Sequence, residues 1–483
     1  MKDKFYVTTS IVYTNAKPHI GFALESIQAD FLARWNRSRG REVFFLTGTD
    51  EHGIKIARTA AEAGEEPQKF VDRVAGEVKN LRGILNLSWD RFIRTSDKKN
   101  HWPGAEELWR RIEKNGDIYE KEYQGLYCVG CERFLAEKDL KDGLCPLHQQ
   151  APELIEEKNL FFRLSKYSEQ IKRAIESGEL QIYPETRRNE TLAFIASGLE
   201  DISFSRSREK LEWGIPIPGH DGQVMYVWCD ALANYISAIG YKDNEKEFKK
   251  WWPVDAHVIG KDIMRFHTIY WPAMLSSAGL PLPKCIYVHG FITAEGKKMS
   301  KSLGNVVYPD VLVEKYGTDA VRYYFLAEVS SHEDGDFNER RFVEHYNADL
   351  ANGLGNFAAR VSTLAEQAGQ LDGLKANLKI EKEIEKVTAM VAEDIKHFRL
   401  NEAVARIWAL IKFGDNYINT HKPWETKDAQ IIFDTLVLLA AVAKLVEPIV
   451  PEAAGKIKAA IEGKGDKPVG AKKIANLFPR LDA

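Results

Sequence analysis

Charge of one sign is what this sequence most lacks: 67 lysines and arginines stand against 70 aspartates and glutamates, a formal net charge of −3. Such a chain has no average field to gather a polyanion, so a nucleic-acid partner has to be held by local basic patches. Cysteine is scarce, with five in 483 residues. Three of them, Cys128, Cys131 and Cys145, crowd into one short segment with His148, which excludes the spread framework of a disulfide-stapled secreted protein. No apolar run approaches the roughly 20 residues of a membrane span, since the stretch 436–446 is interrupted by Lys444. Residues 1–10 hold no cationic segment followed by an apolar core, so they do not read as a secretory signal. Repeats and low-complexity tracts are absent as well. The expectation is a soluble, cytoplasmic protein with no membrane partner.

What is present is apolar material for more than one core, at 44% hydrophobic and 11% aromatic content. Residues 5–9 are aromatic and β-branched, and a loop with Asn15 and Pro18 follows. Leu24, Ile27, Phe31 and Trp35 then recur at helical spacing up to Gly40, and a second apolar run covers 43–46. This predicts a strand–helix–strand unit with parallel strands, whose loops open at the carboxyl edge of the sheet. A second set comprises a strand at 257–259 entering Gly260-Lys261-Asp262, a helix holding Ile263, Phe266 and Tyr270, and a strand at 285–288. Between about 116 and 225 the periodicity breaks down, which predicts an interruption of the sheet. After Phe342 the pattern is helical to the end, with apolar stripes over 350–364, 380–398, 403–418 and 432–445.

The loop after the first strand reads Pro18-His19-Ile20-Gly21-Phe22 and enters a helix, so an imidazole and N-terminal amides share a space where phosphate is favoured. Alone, a histidine before a glycine at a helix start also fits a cap or a packing residue. Glu295-Gly296-Lys297 leads into Lys298-Met299-Ser300-Lys301-Ser302, a loop whose ammonium groups and hydroxyls suit a polyphosphate leaving group. The plain alternative is a solvated lysine loop. Cys128-Val129-Gly130-Cys131 and Cys145-Pro146-Leu147-His148, thirteen residues apart, present three thiolates and one imidazole at the spacing of a tetrahedral zinc site; otherwise they are plain thiols. A closed four-ligand site leaves no position for a reacting water, so the zinc would be structural. Cys229 and Cys285 lie in apolar runs and read as inert core thiols.

Together, and in this order, the histidine–glycine loop and the lysine loop resemble the two signature motifs of class I aminoacyl-tRNA synthetases. Thr49-Asp50-Glu51-His52-Gly53, Tyr226-Val227-Trp228-Cys229-Asp230-Ala231 before Tyr235, and Gly260-Lys261-Asp262 before His267 and Trp271 narrow the resemblance to methionyl-tRNA synthetases of the bacterial type with a single zinc knuckle. It runs from residue 4 to about 451. It implies an α/β fold: a class I Rossmann-type parallel sheet split by a zinc-binding insertion and followed by an all-α anticodon-binding bundle. The implied divisions are catalytic halves at 1–115 and 226–325, the insertion at 116–225, a linking stem at 326–345 and the bundle at 346–483.

The resemblance implies activation of L-methionine with ATP and Mg²⁺, releasing pyrophosphate, then transfer to the terminal adenosine of tRNA(Met). His19, Lys298 and Lys301 would be catalytic, and Gly21, Gly260, Asp262 and Ser300 would join them around ATP. Ile11, Tyr13, Trp228, Ala231, Tyr235, Ile263, His267 and Trp271 would surround the methionine side chain, with Asp50 on its ammonium; a thioether gains from such aromatic edges. Singly, Trp228, Tyr235 and Trp271 would read as core. Cys128, Cys131, Cys145 and His148 would hold Zn²⁺. Asn356, Arg360 and Trp424 would read the anticodon, since unpaired bases stack on tryptophan and bond Asn or Arg; alone, Trp424 would read as a helix-packing residue.

One position departs from the pattern: Phe22 stands where the family's first motif usually has a second histidine, which removes a donor facing the phosphates. Such a loss typically costs about 3 kcal/mol, and it leaves a non-catalytic tRNA-binding or methionine-sensing relative as an alternative. Synthetases for leucine, isoleucine, valine or cysteine share the class fold, but the first three normally carry a large editing insertion and 116–225 is short. A zinc-containing nucleotide-binding protein leaves the paired motifs unexplained. Ending at Ala483, soon after the bundle, the chain is expected to be a monomer.

Overall fold

The computed structural model describes residues 3–482 apart from 131, 136, 147–148, 300–303 and 465–466. The chain divides into two compact units. The first takes in 1–18, 42–80 and 89–288. Its strands are β1 (Lys4–Thr8), β2 (Val12–Tyr13), β3 (Glu42–Asp50), β4 (Arg91–Arg94), β5 (Ile118–Cys128), β6 (Arg133–Leu135), β7 (Glu153–Phe162), β8 (Gln181–Tyr183), β9 (Ile202–Ser203), β10 (Ser205–Ser207), β11 (Pro216–Ile217), β12 (His220–Met225), β13 (Ala256–Gly260) and β14 (Cys285–His289).

The main sheet runs β2-β3-β1-β13-β14-β8, with β4 also on β3. β1 lies parallel to both β3 and β13, and β2 and β4 run parallel to β3. β13 and β14 are buried at every residue, as parallel strands covered on both faces require, so they appear in sequence as unbroken apolar runs. The register pairs Tyr13 with Asp50 and Val12 with Thr49. This sets the end of β3 and the 51–53 loop that follows it beside β2, at the carboxyl ends of the strands.

The segment expected as an insertion does build its own sheet, β6-β5-β7-β9, in which long β5 and β7 pair antiparallel from Ile118↔Phe162 to Tyr127↔Glu153. It is not wholly outside the main sheet, however. Gln181–Tyr183 pairs parallel with Cys285, Ile286 and Tyr287. Three residues give too short a run for periodicity to reveal.

The second unit takes in 19–41, 81–88 and 289–483. It carries the helix Ile20–Ser38 and, late in the chain, Asn356–Ala368, Leu378–Lys396, Leu400–His421, Ala429–Val446 and Pro451–Ala460. The expectation of helix to the end fails: β17 and β18, Ile461–Lys464 and Lys467–Ala471, form an antiparallel pair. (Ile292–Ala294 and Gly335–Phe337, β15 and β16, pair earlier.) Ala429–Val446 is also longer than the apolar run read from sequence. Its 18 residues are apolar enough to cross a membrane, yet 61% of that window is buried within the protein, as in the core helix of a bundle. Asp434 lies wholly buried in it, accepting from the Tyr417 hydroxyl at 2.8 Å and the Asn377 amide at 2.8 Å.

Candidate active site

In the first unit the loop at the end of β3 is held residue by residue. Glu51, fully buried, takes a bidentate pair from Arg94 at 2.7 and 2.9 Å and a bond from Thr49 Oγ1 at 2.5 Å. His52 Nδ1 donates to Asp230 Oδ2 at 2.6 Å, and the other oxygen of Asp230 meets His101 Nε2 at 2.7 Å. Burial pushes the Asp230 carboxyl up, but His52 and His101 outweigh it and hold the pKa below the ordinary carboxylate value. Gly53 has φ 109°, and a Cβ there would sit 2.8 Å from both Glu132 Oε1 and Tyr13 Oη.

Asp50 differs from its neighbours. It is buried, and its Oδ1 has no hydrogen-bond partner. Its pKa is raised well above the ordinary value, first by burial, then by the charges of Asp230 and Glu132. Asp50 is thus a buried carboxyl in the field of two further carboxylates, an arrangement that a cation relieves.

Beside it the structure gathers aromatic groups. Tyr235 Oη and His267 Nε2 are 2.7 Å apart, and His267 Nδ1 faces the Ile263 carbonyl at 3.0 Å; in the tautomer that donates from Nδ1, Nε2 accepts from the Tyr235 hydroxyl. Trp228 stacks on Phe266 at 3.7 Å and lies edge-on to His267 at 6.4 Å. Tyr235, Ala231, His267 and Trp271 are buried, whereas Ile11, Tyr13, Trp228 and Ile263 are half-buried. Trp271 packs against Tyr235 at 6.0 Å, with its own Nε1 buried and unpartnered. The helix expected here is irregular: a 3₁₀ turn Lys261–Ile263, a π-turn Phe266–Tyr270, then α-helix Trp271–Ser277 with Pro272 in its first turn. Proline has no amide to continue the preceding ladder, and the wider π-turn carries His267. Gly260 ends β13, and Asp262 is exposed just after it.

In the second unit His19 is the N-cap of Ile20–Ser38, and its Nδ1 accepts from the Gly21 amide at 3.0 Å. The capping alternative is therefore realised, and it has a chemical consequence. Surrounding protein lowers the His19 pKa, although the side chain is exposed to solvent. A neutral ring accepting at Nδ1 carries its hydrogen on Nε2. A Cβ at Gly21 would lie 2.7 Å from His19 Cε1, so glycine is what lets the ring cap the helix. Phe22 is half-buried on the first turn. Lys298 is exposed, its carbonyl accepting from Asn305 at 3.2 Å; Ser300 and Lys301 lie outside the described residues.

Cys128, at the end of β5, and Cys145 are buried, share one small cluster with Leu135, and form no disulfide. Cys131 and His148 lie outside the described residues. Two thiols converging in one core, unoxidised, fit a zinc knuckle. Cys229 and Cys285 are buried, with burial pushing both thiols up, as inert cysteines require. Among the described residues a separate group, Glu328, His345 and Asp349, has metal-ligand atoms within 4.8 Å of one another. There His345 bonds Glu328 at 2.9 Å and Asp349 at 3.1 Å, the ring itself bridging the carboxylates.

Also in the second unit, Asn356 is exposed and Arg360 half-buried, one turn apart on Asn356–Ala368. Trp424, 47% exposed, sits on the short helix Pro423–Thr426 with the Arg360 guanidinium 5.7 Å from its ring. Arg360 is held by Asp415 at 3.0 Å and Asn419 at 2.7 Å.

The pattern of the family described as tRNA synthetases class I (M) matches residues 5–150 and 135–362. The methionine–tRNA ligase of Clostridium acetobutylicum is 42% identical over 473 residues, spanning 95% of this chain and 73% of the relative. That of Rhizobium meliloti is likewise 42% identical, over 94% of this chain and 90% of its own length. The chain belongs to the methionine–tRNA ligase family. The methionyl-tRNA synthetase of Mycobacterium tuberculosis, solved with methionyl-adenylate, superposes with a TM-score of 0.93 at 38% identity, covering 99% of this chain and 100% of that one. The enzyme is thus an aminoacyl-tRNA synthetase with the class I α/β fold and a helical C-terminal region, and the leucine, isoleucine, valine and cysteine alternatives fall away with the non-catalytic one. Glu132, Asp230, His101 and Arg94 are the residues that sequence reasoning passed over. Asp230 stood within a quoted motif, but its partners are 129 and 178 positions away.

Proposed function

We propose that Asp50 receives the α-ammonium of L-methionine, its unpartnered oxygen in a space flanked by Asp230 and Glu132 being the observation that carries this reading. Ile11, Tyr13, Trp228, Ala231, Tyr235, Ile263, His267 and Trp271 enclose the side chain, the Tyr235 hydroxyl held at 2.7 Å by His267. The methionine carboxylate attacks the α-phosphate of ATP. His19 donates from Nε2 to a phosphate oxygen, fixed in that tautomer by the Gly21 amide, and Lys298, Ser300 and Lys301 take the charge that passes to pyrophosphate. Gly260 and Asp262 accompany Gly21 around the nucleotide; Mg²⁺ bound with ATP supplies further charge neutralisation.

The terminal adenosine of tRNA(Met) then attacks the adenylate, while Asn356, Arg360 and Trp424 read the anticodon. Zn²⁺ held by Cys128, Cys131, Cys145 and His148 folds the 116–225 segment and takes no part in catalysis, between catalytic halves at 1–115 and 226–325; the stem at 326–345 leads to the bundle at 346–483. The enzyme works as a cytoplasmic monomer.

The test is ATP–pyrophosphate exchange with methionine, with leucine, isoleucine, valine and cysteine in parallel, then Phe22→His. Exchange with methionine alone is expected; exchange with another of these amino acids overturns the pocket. Metal analysis should give one zinc per chain, lost in Cys145→Ser.

A further inference from the structure

We propose that Glu132 is a positioning residue for methionine, holding Tyr13 and the start of the helix after Asp50 in the geometry the ammonium site needs; this rests on the pocket reading above. Glu132 directly follows Cys131, one of the candidate zinc ligands, yet its side chain leaves the knuckle and enters the main site. It is 5% exposed, and its Oε1 accepts from the Tyr13 hydroxyl and the Lys55 amide, each at 2.8 Å. Oε2 accepts from the Tyr127 hydroxyl at the end of β5.

Two of these contacts act on Asp50 from different sides. Tyr13 is the register partner of Asp50, and its neighbour Thr14 donates to the Asp50 carbonyl from both amide and hydroxyl at 3.0 Å. On the other side, the helix Ile54–Glu62 begins after Gly53, which offers no side-chain cap. A helix start leaves its first amides unsatisfied; Glu132 supplies that acceptor from 77 residues away. The glycine at 53 makes room for it, since a Cβ would meet both Glu132 and Tyr13 at 2.8 Å. Glu132 itself holds φ 53°, a left-handed conformation that a glutamate adopts only when surrounding contacts impose it. A buried acid in a disfavoured conformation, meeting three donors, two of them on the elements that flank Asp50, marks the residue after Cys131 as part of the amino-acid site.

The geometry distinguishes shape from charge. In Glu132→Gln the amide oxygen still accepts from Tyr13 and Lys55, while its NH₂ donates to Tyr127; in Glu132→Ala all three donors lose their partner. The experiment titrates methionine against intrinsic tryptophan fluorescence, without ATP, and measures zinc content and the ATP KM on the same samples. Glu132→Ala should weaken methionine binding about tenfold, and Glu132→Gln should recover it to within about threefold. Zinc should remain at one per chain, with the ATP KM unchanged. Should Glu132→Ala not fold, Tyr13→Phe removes one arm alone and should weaken methionine about threefold. Unaltered methionine binding in Glu132→Ala, or in Tyr13→Phe where that variant stands in, would overturn the proposal. So would equal loss in methionine and ATP affinity, or failure of glutamine to rescue. Asp50→Asn separates the two readings: if it binds methionine as wild type does, the pocket assignment has failed rather than the role of Glu132.

Discussion

At the residue scale, the clearest consequences fall on Asp50 and Gly21. A carboxyl whose pKa is raised in the folded chain binds more protons there than in the unfolded chain. The stability it contributes is present below the ordinary value near 4 and is lost as pH rises through the raised value. Asp50→Asn should therefore make the ligand-free enzyme more stable at pH 8, with a smaller gap between its denaturation midpoints at pH 5 and pH 8 than wild type. The same substitution should weaken methionine about 10- to 100-fold, the worth of a charged hydrogen bond. A pH dependence identical to wild type would remove Asp50 from the titrating set. For Gly21→Ala, a Cβ 2.7 Å from the His19 ring must displace the cap and with it the tautomer. Exchange should slow by about 100-fold, near the cost of one transition-state donor, while methionine binding measured without ATP stays as in wild type. Loss of methionine binding as well would show that the substitution perturbs more than the cap.

At the element scale, the parallel strands, the His19 helix and the bundle stripes were legible because their periodicity is local. The cysteine pairs stand out in the sequence because metal-ligand spacing is written along the chain, and the structure brings Cys128 and Cys145 into one small cluster. What stayed hidden depends on distant partners: His52 and His101 meet on Asp230 only after folding, and no window of residues contains all three. The three-residue β8 and the π-turn around His267 lie below the length at which a pattern emerges. Asp434 shows the same limit inside the helix Ala429–Val446, where a lone acid in an apolar stripe looks like an interruption. In the structure it is the shared acceptor for Tyr417 and Asn377, with Gln430 donating at 3.0 Å. Asp434→Leu keeps the stripe but orphans the buried Tyr417 hydroxyl and takes an acceptor from Asn377 and Gln430, so it should destabilise the fold by about 1–3 kcal/mol. Urea denaturation checks this; a loss under about 0.5 kcal/mol would show that Tyr417 finds another partner.

At the scale of the whole molecule, the residues proposed for methionine and those proposed for the anticodon fall in different compact units, so their chemistry is separable by measurement. Methionine and ATP alone suffice for pyrophosphate exchange, whereas charging also requires tRNA to be recognised. Trp424 is large, apolar and 47% exposed beside a guanidinium, a surface on which an unstacked base gains contact on one face and a cation at its edge. Its side chain contributes little to the bundle core, so Trp424→Ala should leave the thermal midpoint and the exchange rate unchanged. Charging of tRNA(Met) should fall in kcat/KM by about 10- to 100-fold, the worth of one stacked base. Arg360→Ala should lower it too, and the double variant should fall short of the product of the single effects, because the guanidinium and the indole share one ring contact. Exchange falling in step with charging would place Trp424 in the folding of the second unit, and undiminished charging would move anticodon recognition to another surface.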